Sequence, residues 1–380
     1  MSLNTSLLPF PVMKEVIYCH VIILCVQLQQ IITDVPKYLP PPLPCYERGD
    51  ILSCYHPLRA IATDSKTVNG KTVYQFLGPL EDYSKYPPDK IQLIPCGQCL
   101  GCRLEYSRQW ANRCMLELQY HDSSYFVTLT YDDFHVPKSY YSDPATGEAF
   151  TSLTLVKRDF QLFMKRLRKA FPDDHIRFFM SGEYGSDTFR PHYHAILFGL
   201  HLDDLVYWNR SPEGFQYYNS PSLQKCWSDR EGNPIGFAVV AEVTWETCAY
   251  TARYVMKKLK GAEAHFYSDF NIQPEFTLMS RKPGIARQYF DDHPDLYDFD
   301  YINISTAKGG RKFRPPRYYD QLFDVENPEK MQEIKEIRRK LASAAQEAKL
   351  QRTNLSPDEL LMVEERNKQA KINSLRRKLV

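Results

Sequence analysis

Two histidines one residue apart, His192 and His194, open an apolar run in the segment RPHYHAILFG, residues 190–199. In a strand, residues i and i+2 share a face, so both imidazoles look one way and Tyr193 looks the other. Such a pair can be two hydrogen-bonded structural imidazoles or the jaws of a divalent-metal site. Glu183 lies upstream in Gly182-Glu183-Tyr184-Gly185. A hairpin turn marked by Gly182 and Gly185 would bring its carboxylate beside the pair; the alternative is a solvated turn residue. Two imidazoles and one carboxylate suit Mg2+, Mn2+ or Zn2+ and leave positions open for Lewis-acid work on a substrate oxygen.

A second constellation is Tyr250-Thr-Ala-Arg-Tyr254-Val-Met-Lys-Lys258. Spacings of four put Tyr250, Tyr254 and Lys258 on one face of a helix. That face can be an amphipathic surface with tyrosines packed sideways. It can also be a pair of nucleophiles with a cation. A phenol is a weak nucleophile until a nearby positive charge and a polarised electrophile activate it. Attack on a phosphodiester yields a phosphotyrosine, which conserves the bond for rejoining. A third cluster is Cys96-Gly-Gln-Cys99-Leu-Gly-Cys102. Three thiols at this spacing suit structural zinc, with Cys54, His56 or Cys114 as a fourth ligand; an iron–sulfur cluster or free buried thiols are the other readings.

These residues need elements to hold them. Apolar periodicity predicts a helix over Leu104–Tyr120, with Trp110, Cys114 and Leu118 in register, and a strand over Tyr125–Thr130. A helix over Asp159–Phe171, strands over Ile176–Met180, His192–Phe198 and Phe237–Val243, and a helix from about Glu246 to Lys260 follow. That order is the split βαβ pattern of a ferredoxin-like α+β sheet. Before it, Pro36–Pro44 reads as an arm or linker. After it, Ser356-Pro357-Asp358-Glu359 reads as a capping box opening a final helix in a charged tail. The expected division is an N-terminal extension without a core over 1–50, a Cys-rich segment over 51–122, a nuclease-like core over 123–262, a loop-rich basic region over 263–325 and a helical tail over 326–380.

Taken together, these motifs resemble the HUH endonuclease superfamily, in which U is a hydrophobic residue. Within it the chain is similar to the replication initiation proteins of Microviridae, the gokushovirus-like bacteriophages. The likeness rests on Cys54-Tyr-His-Pro-Leu, Pro95-Cys-Gly-Gln-Cys-Leu-Gly-Cys102, Phe126-Val-Thr-Leu-Thr-Tyr-Asp-Asp133, Gly182-Glu-Tyr-Gly185, the histidine strand and the tyrosine helix. It runs from about residue 53 to about residue 320, so some fifty residues precede it. The resemblance implies an RRM-like nuclease core with a catalytic Mg2+ or Mn2+ on His192, His194 and Glu183. Tyr250 and Tyr254 would be alternating nucleophiles, and Lys258 would neutralise the scissile phosphate. It further implies nicking of single-stranded origin DNA through a 5′-phosphotyrosine, extension of the free 3′ end by host polymerase, and rejoining of the displaced strand. The setting would be the host bacterial cytoplasm, with a host helicase as partner and no membrane.

Net charge is only +2, so any nucleic-acid site must be a local patch. Lys165–Lys169, Lys257–Lys260 and Lys308–Arg317 are the basic clusters, and the last interleaves Phe313 and prolines with its charges. Arg190, Lys257, Arg311, Lys312 and Arg314 are therefore the expected DNA contacts, through phosphate neutralisation and stacking. No G-x-x-x-x-G-K-[ST] pattern occurs, so no fused helicase is expected. The apolar stretch Val16–Ile32 carries His20 and three glutamines and is too short and polar for a membrane span. Two other readings remain at this level. One is a related single-strand transposase or relaxase. The other is a non-catalytic, zinc-stabilised single-stranded DNA-binding protein.

Overall fold

The computed structural model describes residues 54–66, 72–78, 81–87, 90–186, 188–211, 214–253, 258–259, 261–306 and 309–374. The expected extension over 1–50, Tyr254, Lys257 and Lys308 lie outside the described residues. In chain order, β1 (Leu58–Lys66), β2 (Thr72–Phe76) and β3 (Ile91–Ile94) form a small sheet and lead into helix α1 (Leu100–Leu118). Then come β4 (Ser124–Tyr131), the hairpin β5 (Lys138–Ser142) and β6 (Ala149–Leu153), α2 (Lys157–Ala170), β7 (Arg177–Tyr184) and β8 (Pro191–Phe198). Next are β9 (Val206–Arg210), β10 (Gln216–Asn219), α3 (Pro221–Cys226), β11 (Gly236–Glu242) and α4 (Trp245–Arg253). The chain continues through α5 (His265–Asp269), β12 (Phe276–Met279), α6 (Arg287–Asp292), β13 (Ile302–Thr306) and β14 (Gly309–Phe313). Three helices close it: α7 (Arg317–Glu326), α8 (Pro328–Leu350) and α9 (Pro357–Ser374).

The central sheet is antiparallel, in the order β12-β7-β8-β4-β11-β10-β9. Its inner four strands, β11-β4-β8-β7, are the fourth, first, third and second strands of a βαββαβ unit. The expected α+β, ferredoxin-like arrangement is therefore the fold, with a helical C-terminal tail. The unforeseen parts widen it: β12 and the β9–β10 hairpin extend both edges.

Strand alternation sorts the side chains onto two faces. On one, Val127, Leu129, Met180, Tyr193, Ala195 and Leu197 pack against α2. That helix presents Phe160, Phe163, Met164 and Leu167, an i, i+3, i+4, i+7 stripe. On the other, Phe126, Phe179, Ile196, Phe198 and Ala241 pack beneath α1 and α4, with Cys114 and Cys248 fully buried between those helices. The histidine pair belongs to this second face.

Three expectations change in detail. β7 runs through Tyr184, so Gly182 is a strand residue and only Gly185 stands at the turn. Gly182 is needed there because a Cβ would meet Leu155, Phe276 and Tyr193 at 3.2 Å. The tyrosine helix does not reach Lys258, which lies in an exposed bend. Beyond that bend Leu259 donates its N–H to the Tyr267 hydroxyl at 2.7 Å rather than to a helical carbonyl. Finally, the region 263–325 is mostly regular structure: Arg311 and Lys312 lie on β14, paired to β13, instead of on a loop. Among the described residues, no helix is long and apolar enough to cross a membrane.

Candidate metal and nucleophile site

The register of β7, β8 and β4 builds the site. Glu183 pairs across to His192 and Ser181 to His194. On the other side Thr130 pairs with His192 and Thr128 with His194. Directly paired residues of antiparallel strands share a face, so all six lie on one side. The Nε2 atoms of His192 and His194 converge on one carboxylate oxygen, Glu183 Oε1, at 2.7 and 2.9 Å. Glu183 is 1% exposed and His194 is buried, while His192 is half-buried. Burial alone would raise the Glu183 carboxyl, but the hydrogen bonds and charges of His192 and His194 outweigh it and hold it at about 2.

The outer ring nitrogens orient the pair. His192 Nδ1 lies 3.0 Å from the Arg190 carbonyl, which can only accept, so that nitrogen carries the proton. Its Nε2 then presents a lone pair toward Glu183 whenever the ring is neutral. Thr128 Oγ1 holds His194 Nδ1 at 3.0 Å. Lone pairs facing a carboxylate at contact distance need a proton or a cation between them. The three ligand atoms lie within 4.8 Å of one another. This donor set, with each imidazole fixed by a hydrogen bond on its far nitrogen, fits a divalent cation.

α4 lays Tyr250 against this centre. Its ring centroid is 5.1 Å from that of His194 and 6.0 Å from that of Phe126, edge-on in both cases. Phe126 itself stacks on His194 at 5.5 Å. Burial, and then the negative charge of Glu183, push the Tyr250 phenol well above its ordinary value. A phenolate there needs compensating positive charge. The structure thus brings together His192, His194, Glu183 and Tyr250; Lys258 is exposed, and Tyr254 lies outside the described residues.

A second cluster joins Cys54, Cys96, Cys99 and Cys102, whose sulfurs also lie within 4.8 Å of one another. Cys54 takes the fourth position; His56 instead meets Glu365 at 2.6 Å, and Cys114 is under α4. Backbone N–H groups aim at the sulfurs: Cys96 to Cys54 Sγ at 3.3 Å, Cys99 to Cys96 Sγ at 3.3 Å, and Tyr55 to Cys99 Sγ at 3.2 Å. Cys99 also caps α1 by accepting from the Cys102 N–H. Against burial, which raises it, these amides bring the Cys99 thiol down to about 7, while burial pushes Cys54 up to about 11. Four sulfurs with N–H donors suit a tetrahedral metal. α9 clasps this module, since Glu365 accepts from the Leu100 N–H at 3.3 Å and Asp358 meets Arg59 at 2.7 Å.

The expected DNA contacts divide. Arg190 is committed to Asp133 Oδ1 at 2.6 Å and to the Tyr131 carbonyl at 2.9 Å, which pins the turn after β4. Arg311 lies over the Trp245 ring at 3.5 Å, at the start of α4. Lys312 is exposed and sits 4.0 Å from the Tyr301 ring centre, with Arg314 at 5.9 Å from the same ring. Phe126 and Thr128 were not singled out as ligand-supporting residues, although the alternation in Phe126-Val-Thr-Leu-Thr130 places them on one face. What sequence could not supply is which strand β4 pairs with.

Comparison with known proteins follows the same boundaries. The family model for replication-associated proteins of the ORF2 type matches residues 124–259. The replication-associated protein ORF2 of Spiroplasma virus 4 is 34% identical over 272 residues, which cover 69% of this chain and 79% of that protein. The replication-associated protein VP4 of Bdellovibrio phage phiMH2K is 30% identical over 248 residues, covering 63% and 70%. The replication-associated protein ORF4 of Chlamydia phage 1 is 29% identical over 251 residues, covering 60% and 53%. No solved structure matches the chain.

Proposed function

The chain belongs to the family of phage replication-associated proteins, and from that premise we propose that it initiates rolling-circle replication by nicking and rejoining single-stranded origin DNA. The observation that carries this reading is the placement of Tyr250 beside two imidazoles that converge on one buried carboxylate. His192, His194 and Glu183 would hold the divalent cation, Mg2+ or Mn2+. Such a cation supplies positive charge that offsets the charge growing on a non-bridging phosphate oxygen.

The residues of the chain do the rest. Glu183 and Thr128 keep the two imidazoles oriented. Tyr250 or Tyr254 loses its phenolic proton and its oxygen attacks phosphorus. The P–O3′ bond breaks, O3′ takes up a proton as the free 3′-hydroxyl, and the 5′ phosphate stays esterified to tyrosine. Lys258, exposed just beyond the helix, adds positive charge at the phosphate. After one round the second tyrosine cuts the regenerated origin, and the released 3′-hydroxyl displaces the first tyrosine to close a circle. The four-cysteine module would hold structural Zn2+ and anchor the N-terminal sheet to α1. Arg311, Lys312 and Arg314 would track the DNA backbone, and host polymerase and helicase would act on the nicked product in the bacterial cytoplasm.

Cleavage of phage single-stranded origin DNA by wild type, Tyr250→Phe, Tyr254→Phe and the double variant, with Mn2+ and with chelator, tests this. The expected result is a covalent protein–DNA band that needs metal and disappears only in the double variant. A strand bound equally well by every variant, and never cut, would favour the non-catalytic DNA-binding reading.

A further inference from the structure

Cross-strand pairing continues the catalytic row past the metal ligands. Glu183 faces His192, His192 faces Thr130, and Thr130 faces Phe237 on β11. Phe237 therefore projects from the same face as the histidine pair, two strands away, about 10 Å at ordinary strand spacing. Its side chain is 65% exposed. Phe134, in the turn that leaves β4, is 95% exposed. Large aromatics left bare at a site otherwise well packed call for a ligand.

The backbone beneath both rings is fixed. Gln224 donates to the Gly236 carbonyl at 3.0 Å and accepts from the Ala238 N–H at 2.9 Å, so it brackets Phe237 where β10 does not reach. Trp227 Nε1 donates to the carbonyl of the facing Thr130 at 2.7 Å. Asp132 Oδ1 accepts from the N–H groups of Phe134 and His135 at 2.9 and 2.8 Å, and the Asp132 N–H reaches the Ile235 carbonyl at 3.1 Å. The turn carrying Phe134 is thus tied to the start of the strand carrying Phe237. The two carboxylates of that turn are matched, Asp132 by His135 and Asp133 by Arg190. Rigid, bare, aromatic and free of unmatched negative charge, this rim suits flat uncharged rings on a polyanionic strand.

We propose that Phe237 and Phe134 form a stacking platform for unpaired bases of single-stranded DNA next to the scissile phosphate. This rests on the DNA-nicking reading for its ligand. Stacking is sequence-tolerant, so the platform would seat the strand while other contacts select the origin.

The test is fluorescence anisotropy of the full-length protein with a labelled mixed-sequence single strand, in chelator so that no cleavage occurs. Phe237→Ala and Phe134→Ala should each weaken binding about 5- to 100-fold. Phe237→Trp should bind as wild type. Phe299→Ala, which removes a 64% exposed phenylalanine elsewhere, should change nothing. On a strand of abasic sites, Phe237→Ala and wild type should bind alike. Wild-type affinity in both alanine variants, or an undiminished loss on the abasic strand, overturns the platform. Nicking is scored separately at saturating DNA with Mn2+. Retained adduct formation in variants of unaltered affinity would overturn the platform and leave nicking intact, whereas the stacking pattern without any adduct would do the reverse.

Discussion

Replacing Glu117 by glutamine should loosen the joint that seats α1, and with α1 the tyrosine helix. Glu117 is buried, and its two oxygens accept from Arg177 Nε, from His121 Nε2 at 3.2 Å and from the Ala286 N–H. Arg177 in turn holds the Pro283 and Gly284 carbonyls at 3.0 Å, so one carboxylate ties α1, β7 and the loop before α6. Glutamine keeps the shape but removes the charge and turns an N–H2 toward donors. Breaking one side of a buried pair costs about 3–5 kcal/mol, against a total stability of about 5–15 kcal/mol. For a protein of this size that is a fall in Tm of roughly 6 °C or more. The pH dependence gives the sign. Burial alone would raise the Glu117 carboxyl, but His121, Arg177 and the Ala286 amide outweigh it and the net displacement is downward. A depressed folded value means the stabilisation is present above the unfolded glutamate value, about 4.3, and is lost as pH falls through the lower folded value. Thermal unfolding of wild type and Glu117→Gln at pH 7.5 and across the acid range is the assay. A Tm difference under about 1 °C at pH 7.5, or a difference that persists undiminished into strong acid, would refute the reasoning.

Other perturbations read other parts of the molecule. His194→Ala should lower Mn2+ affinity at least about 10-fold by calorimetry and abolish adduct formation, while leaving the fold intact by circular dichroism; unchanged affinity would remove the histidine pair from the metal site. Cys99→Ser should lose the zinc that elemental analysis finds in wild type, and should unfold more readily, because structural zinc binding of about 10–16 kcal/mol is folding free energy; wild-type protein purified without zinc or iron would contradict the assignment. Gly236→Ala should destabilise the protein by at least about 1–3 kcal/mol in urea, since a Cβ there would lie 1.9 Å from the Thr130 carbonyl oxygen and force β11 off β4; an unchanged midpoint would show that the strand pair can yield.

Much of the core is legible because its signals are local. The stripe on α2 follows helical period, and the expected helix over Asp159–Phe171 overlaps the observed Lys157–Ala170. The expected strand over His192–Phe198 is β8 with Pro191 added. The facing of His192 and His194 follows from alternation alone. Pairing between distant segments is not legible. Glu183 reads as a turn residue because two glycines flank its neighbourhood, whereas Gly182 is there to admit Leu155, Phe276 and Tyr193. The choice of Cys54 over His56 and Cys114 depends on where β1 folds back, and the partner that draws His56 away, Glu365, is on the last helix. Arg190 reads as a cation available to DNA beside the histidines, but the carboxylate that takes it comes from the turn after β4. The β14 segment reads as a loop because glycines and prolines bracket its charges, yet it pairs in full with β13.

The most direct measurement is peptide mapping by mass spectrometry of the covalent adduct formed on single-stranded origin DNA with Mn2+. The account predicts a 5′-phosphate linked to Tyr250 or Tyr254, absent with chelator and in His194→Ala. A linkage to any other residue, or no adduct from wild type, would contradict it.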